Sequence, residues 1–285
     1  MTIVGLVASL RERLRGAVES PALEAELLVA KALRCERAEL LGRDRSPASD
    51  AVVAEALALA ERRQRGEPIA WLIGGREFHG RRFQVGPGVL VPRPETEHLV
   101  DVALAAAPRG LWADVGTGCG AVGITLLLER RAPLRCLAID LSPQAIACAR
   151  RNAIELGADE RDLVLVQGDL LSPVAPGPRL DGIVSNPPYV EPHEWPLLPP
   201  EIQWFEPQLA LTPGCESAAA FRGRLIAQAV ERLKPGGFLA IEVGAGQAGV
   251  ARDQLLAAGL RRVAITNDLA AIGRVVSAFT PGATG

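Results

Sequence analysis

Little in this sequence is built to hold a metal, cross a membrane or coat nucleic acid. Its five cysteines (Cys35, Cys119, Cys136, Cys148 and Cys215) are odd in number and scattered, without a C-x-x-C pair. That excludes a disulfide framework and a zinc site of the usual spacing, and points to reduced thiols in a cytoplasmic protein. The three histidines, His79, His98 and His193, form no ligand pair and read as surface or structural residues. No apolar run approaches the roughly 20 residues that span a bilayer. The opening MTIVGLVASLRERL lacks a basic start and repeats its apolar positions at helical spacing, so it is expected to be a helix and not a secretory leader. Charge of one sign is not in excess: 31 Lys plus Arg face 33 Asp plus Glu, which argues against direct nucleic-acid binding. What is there, 48% hydrophobic and 22% charged over 285 residues, describes a soluble globular chain of one large or two ordinary domains.

Residues 1–66 read as a small helical domain. SPALEAELLVAKALRC opens with Ser20 as N-cap and Pro21 at the first helical position. DAVVAEALALAERRQRG carries Val52, Val53, Ala56, Leu57 and Ala60 on one face and stops at Gly66. Residues 67–94, rich in glycine and proline around Trp71, Phe78 and Phe83, read as a connector with a β-hairpin. A helix is expected from Pro94, with Glu95 and Glu97 favourably placed in its first turn. From there to residue 285 short apolar runs (LWADV, CLAID, LVLVQ, DGIVSN, GGFLAIEVG, RVAITN, RVVSAF) alternate with helical stretches. Such alternation means an α/β domain: a parallel sheet with helices on both faces.

The first of these strands runs into DVGTGCGA: Asp114, then Gly116, Thr117, Gly118, Cys119, Gly120 and Ala121. Glycines there let the backbone turn sharply and approach a ligand at the carboxyl edge of the sheet. Gly116, Gly118 and Ala121 also satisfy G-x-G-x-x-A, so the loop alone does not separate NAD from S-adenosylmethionine. The second strand ends in Asp140, placed to grip ribose hydroxyls, and the third in Asp169, able to accept from an adenine amine with Leu170 against the ring. Asp114, together with the fourth strand, tips the choice to S-adenosylmethionine, because a carboxylate before the loop suits a cationic ligand and repels a pyrophosphate.

The fourth strand delivers SNPPYV to the same edge. Two prolines fix φ, lack N–H groups and hold Asn186 and Pro187 extended. The resulting stiff finger offers mainly acceptors, the Asn186 side-chain oxygen and backbone carbonyls, beside Pro188 and the chain's only tyrosine, Tyr189. It suits a planar group bearing an NH2.

DVGTGCG, AID, QGD and SNPPY, in that order, resemble the class I S-adenosylmethionine-dependent methyltransferases that modify amide or exocyclic amine nitrogens. PIAWLIGGREFHG, VLVPRPETE, FEPQLAL and LKPGGFLAIEVGAGQ resemble the release factor glutamine methyltransferases, PrmC or HemK, over most of the chain from Pro68 to Val276. The chain departs from that pattern at Ala271 and in GCESAAAF. The resemblance implies a Rossmann-like methyltransferase sheet behind an N-terminal substrate-recognition domain. It implies S-adenosylmethionine as methyl donor, S-adenosylhomocysteine as product and no metal. The substrate implied is the Gly-Gly-Gln glutamine of class I peptide-release factors. By the same resemblance Asn186 and Pro187 each take one N–H of that amide, Tyr189 stacks on it, and Arg93, Thr96 and Glu97 lie near the methionine end of the donor. A methyltransferase acting on a ribosomal-protein glutamine or a nucleic-acid base, and a non-enzymatic S-adenosylmethionine-binding scaffold, share these motifs.

Overall fold

A computed structural model describes residues 1–43, 45–107 and 109–282. The chain divides into two compact units: Met1–Gly75 together with Pro199–Phe205, and the remainder from Arg76.

The first unit is helical: α1 (Ile3–Leu14), α2 (Pro21–Leu33), α3 (Asp50–Gln64) and α4 (Ile69–Ile73). Leu6, Leu10 and Leu14 repeat every four residues along α1 and are fully buried against Leu28 and Val29 of α2, as an amphipathic helix requires. Thr2 and Ser49 cap α1 and α3 by accepting from Gly5 and Val52 N–H, whereas Ser20 stands at the N-cap of α2 without making the bond. On α3 the buried side chains are Ala56, Leu59, Ala60 and, unforeseen, Arg63. Arg63 is only 7% exposed. It donates to Glu24 at 2.6 Å and to Glu201, in the helix Pro200–Phe205, at 2.8 Å. An amphipathic pattern cannot announce a buried cation whose partner lies far along the chain.

The second unit opens with the antiparallel hairpin β1 (Arg76–Phe78) and β2 (Arg81–Phe83). A single 3-10 turn, Pro94–Thr96, precedes α5 (Glu97–Ala105), so the α-helix starts later than its proline. Then come β3 (Gly110–Val115), α6 (Ala121–Glu129), β4 (Leu134–Asp140), α7 (Pro143–Leu156), β5 (Leu163–Gln167) and β6 (Leu180–Ser185). After α8 (Pro200–Phe205), which packs in the first unit, follow α9 (Gln208–Leu211), α10 (Ala218–Arg232), β7 (Leu233–Glu242), α11 (Ala248–Ala257), β8 (Arg261–Asn267) and β9 (Gly273–Phe279).

The sheet order is β5-β4-β3-β6-β7-β9-β8. It is parallel from β5 through β7, but β9 runs antiparallel to both neighbours. The expected α/β sheet is thus mostly parallel, with β9 as the antiparallel exception. The link from Asp268 to Ile272 is too short for a crossover, so β8 and β9 can pair only as a hairpin. Order reverses between β3, which leads outward to β4, and its other neighbour β6. The crevice beyond their carboxyl ends is where sheets of this type bind ligands.

Candidate functional site

Four strand ends meet at that crevice. β3 and β6 end in register, Val115 opposite Ser185, and the Ser185 hydroxyl donates to the Val115 carbonyl at 2.7 Å. The glycine loop leaving β3 is anchored on β4, with Gly116 and Thr117 N–H both donating to Ile139 C=O at 2.8 and 3.0 Å. Gly116 has φ +74°, and a Cβ there would lie 3.6 Å from the Asn186 carbonyl, so loop and finger are close neighbours. Gly120, at φ +85°, begins α6 where a Cβ would meet Ile124 Cδ1 at 2.6 Å; an L-residue is strained on both counts.

The cavity between these ends holds about 360 Å³, within the range of small-ligand sites. Of the expected residues, Gly116, Gly118, Asp140, Asp169, Leu170, Asn186, Pro187 and Pro188 line it. Asp140 accepts from Gly118 N–H at 2.8 Å through Oδ2 and from Ser142 N–H at 2.9 Å through Oδ1, with the Leu141 N–H also acting on the carboxylate. A carboxylate has about four acceptor positions, which leaves room for a ligand hydroxyl. Burial raises the Asp140 pKa above the ordinary aspartate range, against the pull of those N–H groups. Asp169 accepts from Arg224 at 2.8 Å, and Arg224 also donates to Glu216 at 2.6 Å while lying 5.6 Å from the Phe221 ring. Leu170 sits at φ +50° and is 6% exposed. A leucine there carries backbone strain that the surrounding packing must hold.

Asp114, Thr117, Cys119 and Gly120 do not line the cavity. Asp114 is 1% exposed and accepts from the Thr117 hydroxyl at 2.6 Å and Gly123 N–H at 2.9 Å. Desolvation raises its pKa to about 6. Through these bonds Asp114 braces the loop against the start of α6. Cys119 is likewise buried, and its carbonyl accepts from Asn152 at 2.8 Å. Asp140, Asp169 and Glu216 face the cavity with Arg224 as the one cation among its described lining residues, which makes its potential negative.

Asn186 donates through Nδ2 to Thr96 Oγ1 at 3.1 Å. Among the described residues nothing donates to Asn186 Oδ1 or to the Pro187 carbonyl. Tyr189 lies outside the cavity lining; its ring sits beside Gly244, where there is no side chain to displace it, and its carbonyl accepts from Gln247 at 2.8 Å. Burial, with Glu242 nearby, pushes the Tyr189 phenol up to about 12.

Arg93, Thr96 and Glu97 also stand outside the cavity. Arg93 donates to Glu206 at 2.6 Å, and Glu97 accepts from His79 N–H at 2.9 Å, holding the β1–β2 turn. Leu90, Leu141, Leu209 and Phe221, which wall the cavity, were not among the expected site residues, although Leu90 and Leu209 lie within VLVPRPETE and FEPQLAL. The lining fits S-adenosylmethionine: apolar side chains for a flat ring, a carboxylate with free lone pairs for a ribose, and a net negative charge that favours a sulfonium over a pyrophosphate. Among the described residues no group of three or more His, Cys, Asp or Glu is placed to hold a metal ion.

Two family models match the chain, the PrmC N-terminal domain over residues 6–74 and the methyltransferase small domain over residues 95–197. The release factor glutamine methyltransferase of Neisseria gonorrhoeae is 42% identical, covering 91% of this chain and 94% of its own length. That of Cereibacter sphaeroides is 40% identical, covering 93% and 94%. Among solved structures, a methyltransferase from Pyrococcus furiosus superposes with a TM-score of 0.53 at 18% identity, over 71% of this chain and 90% of that one; it speaks to the fold alone.

Proposed function

Because the chain belongs to the release factor glutamine methyltransferases, we propose that it methylates the side-chain amide nitrogen of the Gly-Gly-Gln glutamine in class I peptide-release factors, with S-adenosylmethionine as donor, in the cytoplasm. One observation carries the reading: Asn186 Oδ1 and the Pro187 carbonyl are two unengaged acceptors, side by side on the wall of a cavity suited to that donor.

The bound donor supplies an electrophilic methyl group on a sulfonium. Gly116, Gly118 and Asp140 would hold its polar parts, and Leu141, Asp169 and Leu170 its ring. An amide nitrogen is a weak nucleophile because its lone pair is delocalised into the carbonyl. Asn186 Oδ1 and Pro187 C=O each take one of its N–H groups. They point the nitrogen at the methyl carbon and stabilise the positive charge that grows as the N–C bond forms and the C–S bond breaks. The methylated nitrogen is acidic and releases a proton to solvent afterwards, so a strong base is not needed before attack. Tyr189, two residues beyond Pro187, flanks the path of the incoming amide and keeps water from it. Choosing one glutamine among many needs more surface than the finger has, and that work falls to the N-terminal helical unit.

The test is transfer of tritiated methyl from S-adenosylmethionine to release factor, ribosomal protein and nucleic acid in parallel, with the modified residue located by mass spectrometry. Label on the Gly-Gly-Gln glutamine is the expected outcome. Label on ribosomal protein or on a base, with release factor unlabelled, would replace the reading with one of its rivals.

A further inference from the structure

We propose that Arg224 sets Asp169 to read the amino group of the donor's adenine: its guanidinium holds one carboxylate oxygen, Oδ2, and leaves the other, Oδ1, as the acceptor for that amine. The proposal rests on the reading of the cavity as the site of S-adenosylmethionine.

A carboxylate in a loop beyond a strand turns freely about its side-chain bonds, and the Asp169 side chain is 52% exposed. Left alone it would face water, and the Glu216 carboxylate on the same wall would repel it. Arg224 removes both freedoms. Its Nη2 donates to Asp169 Oδ2 at 2.8 Å and its Nη1 to Glu216 Oε1 at 2.6 Å, so one planar cation bridges two like charges from separate segments. The guanidinium carbon lies over the ring of Phe221, 5.6 Å from its centre, and that ring stands one turn earlier on α10. Ring and carboxylates together fix the plane of the fork.

Among the described residues nothing donates to Asp169 Oδ1. Asp169, Leu170, Glu216, Phe221 and Arg224 all line the cavity, so the unengaged oxygen stands beside the apolar surface that takes the ring. An arginine has no acceptor and cannot itself take an amine proton; a carboxylate fixed by an arginine can. Arg224 therefore acts through Asp169 and is a positioning residue. Its ion pairs are open to water in the empty cavity and contribute little to the stability of the fold. Their effect is on where the carboxylate stands, and it grows once a ring fills the cavity and displaces that water. Glu216 lies in GCESAAAF, where the chain departs from the pattern it otherwise resembles, and the bridge gives that stretch a task.

The full-length protein is titrated by calorimetry with S-adenosylhomocysteine and with its analogue bearing hydrogen in place of the adenine amino group. The readout is the ratio of the two affinities, which a general loosening of the cavity would leave unchanged. Wild type is expected to prefer the amine by about tenfold or more, because only the amine makes a bond to a charged acceptor. Arg224→Met keeps the stem and removes the fork; it should weaken S-adenosylhomocysteine and bring the ratio to within about threefold. Arg224→Lys keeps the charge without the fork and should fall between the two. Glu216→Gln leaves Arg224 on Asp169 and should keep the wild-type ratio. An equal loss of both ligands in Arg224→Met, or an unchanged ratio, overturns the proposal. So does tighter binding of S-adenosylhomocysteine in that variant, which a cation competing with the amine would give. A ratio lost in Glu216→Gln would assign the amine to Glu216 and overturn it too. A wild type that binds S-adenosylhomocysteine without preferring the amine overturns the role of Asp169 Oδ1, whereas a wild type that binds neither ligand overturns the donor reading beneath it.

Discussion

Asp140→Asn isolates what the second strand end contributes to ligand binding. Asp140 spends one lone pair of Oδ2 on Gly118 N–H at 2.8 Å and one of Oδ1 on Ser142 N–H at 2.9 Å. The amide keeps one acceptor and puts an NH2 where the other oxygen was, opposite an N–H that also donates. At least one hydrogen bond to a charged group is lost, along with the acceptor on that side for a ribose hydroxyl. A bond of this kind contributes about 1.5–3 kcal/mol, so affinity for S-adenosylhomocysteine should fall about 10- to 150-fold. Isothermal titration calorimetry at pH 7.5 measures it, with circular dichroism confirming that the sheet is intact. The pH profile adds a second signature. Burial holds the Asp140 pKa above that of a free aspartate, and ligand hydroxyls need its ionised form. Wild-type affinity should therefore weaken as pH falls toward the aspartate range, while the Asn variant should be flat there. An Asp140→Asn protein that binds within about threefold of wild type would refute the assignment of this carboxylate to the ligand.

Asn186→Ala should reduce kcat by about two orders of magnitude or more while changing product affinity far less; near-normal turnover would remove the finger from the mechanism. Arg63→Leu strips the partner from Glu24, itself 8% exposed, and should cost about 3–5 kcal/mol in urea unfolding of the helical unit; adding Glu24→Leu should recover most of it, and a loss below about 1 kcal/mol would show the pair to be dispensable. Glu242 is faced by Thr96, Glu95, Arg93, Arg274 and Tyr189, and burial raises its pKa from the usual 4.5 to about 7. The folded protein thus holds a proton that the unfolded chain has released, so stability falls as pH rises from 4.5 to 7. Glu242→Gln is free of that cost, and its advantage over wild type should grow across this window to at most about 3 kcal/mol and then level off; an advantage that shrinks as pH rises would contradict the burial of the charge.

What the sequence determined by itself is what neighbouring residues settle among themselves. Alternating apolar runs and capped helices implied an α/β sheet, and glycines at 116, 118 and 120 implied the turn where φ is positive. The finger implied by Asn-Pro-Pro lacks donors only at its two prolines and otherwise offers mainly acceptors, and all of these features depend on sterics and hydrogen bonding within a few residues. The partner of each buried charge was not legible, because it is chosen by which elements the sheet order brings together. Asp114 stands next to the loop, and the start of α6 folds over it and supplies Gly123 N–H. Arg63 ended an amphipathic face but found Glu201 across 138 residues of chain. The wall formed by Leu209, Phe221 and Arg224, and the bond from Asn186 Nδ2 to Thr96 Oγ1, exist only once the segments around β6 have packed. Burial then decides which of these groups keep their charge, since the free energy of a carboxylate depends on how much water the tertiary fold leaves around it.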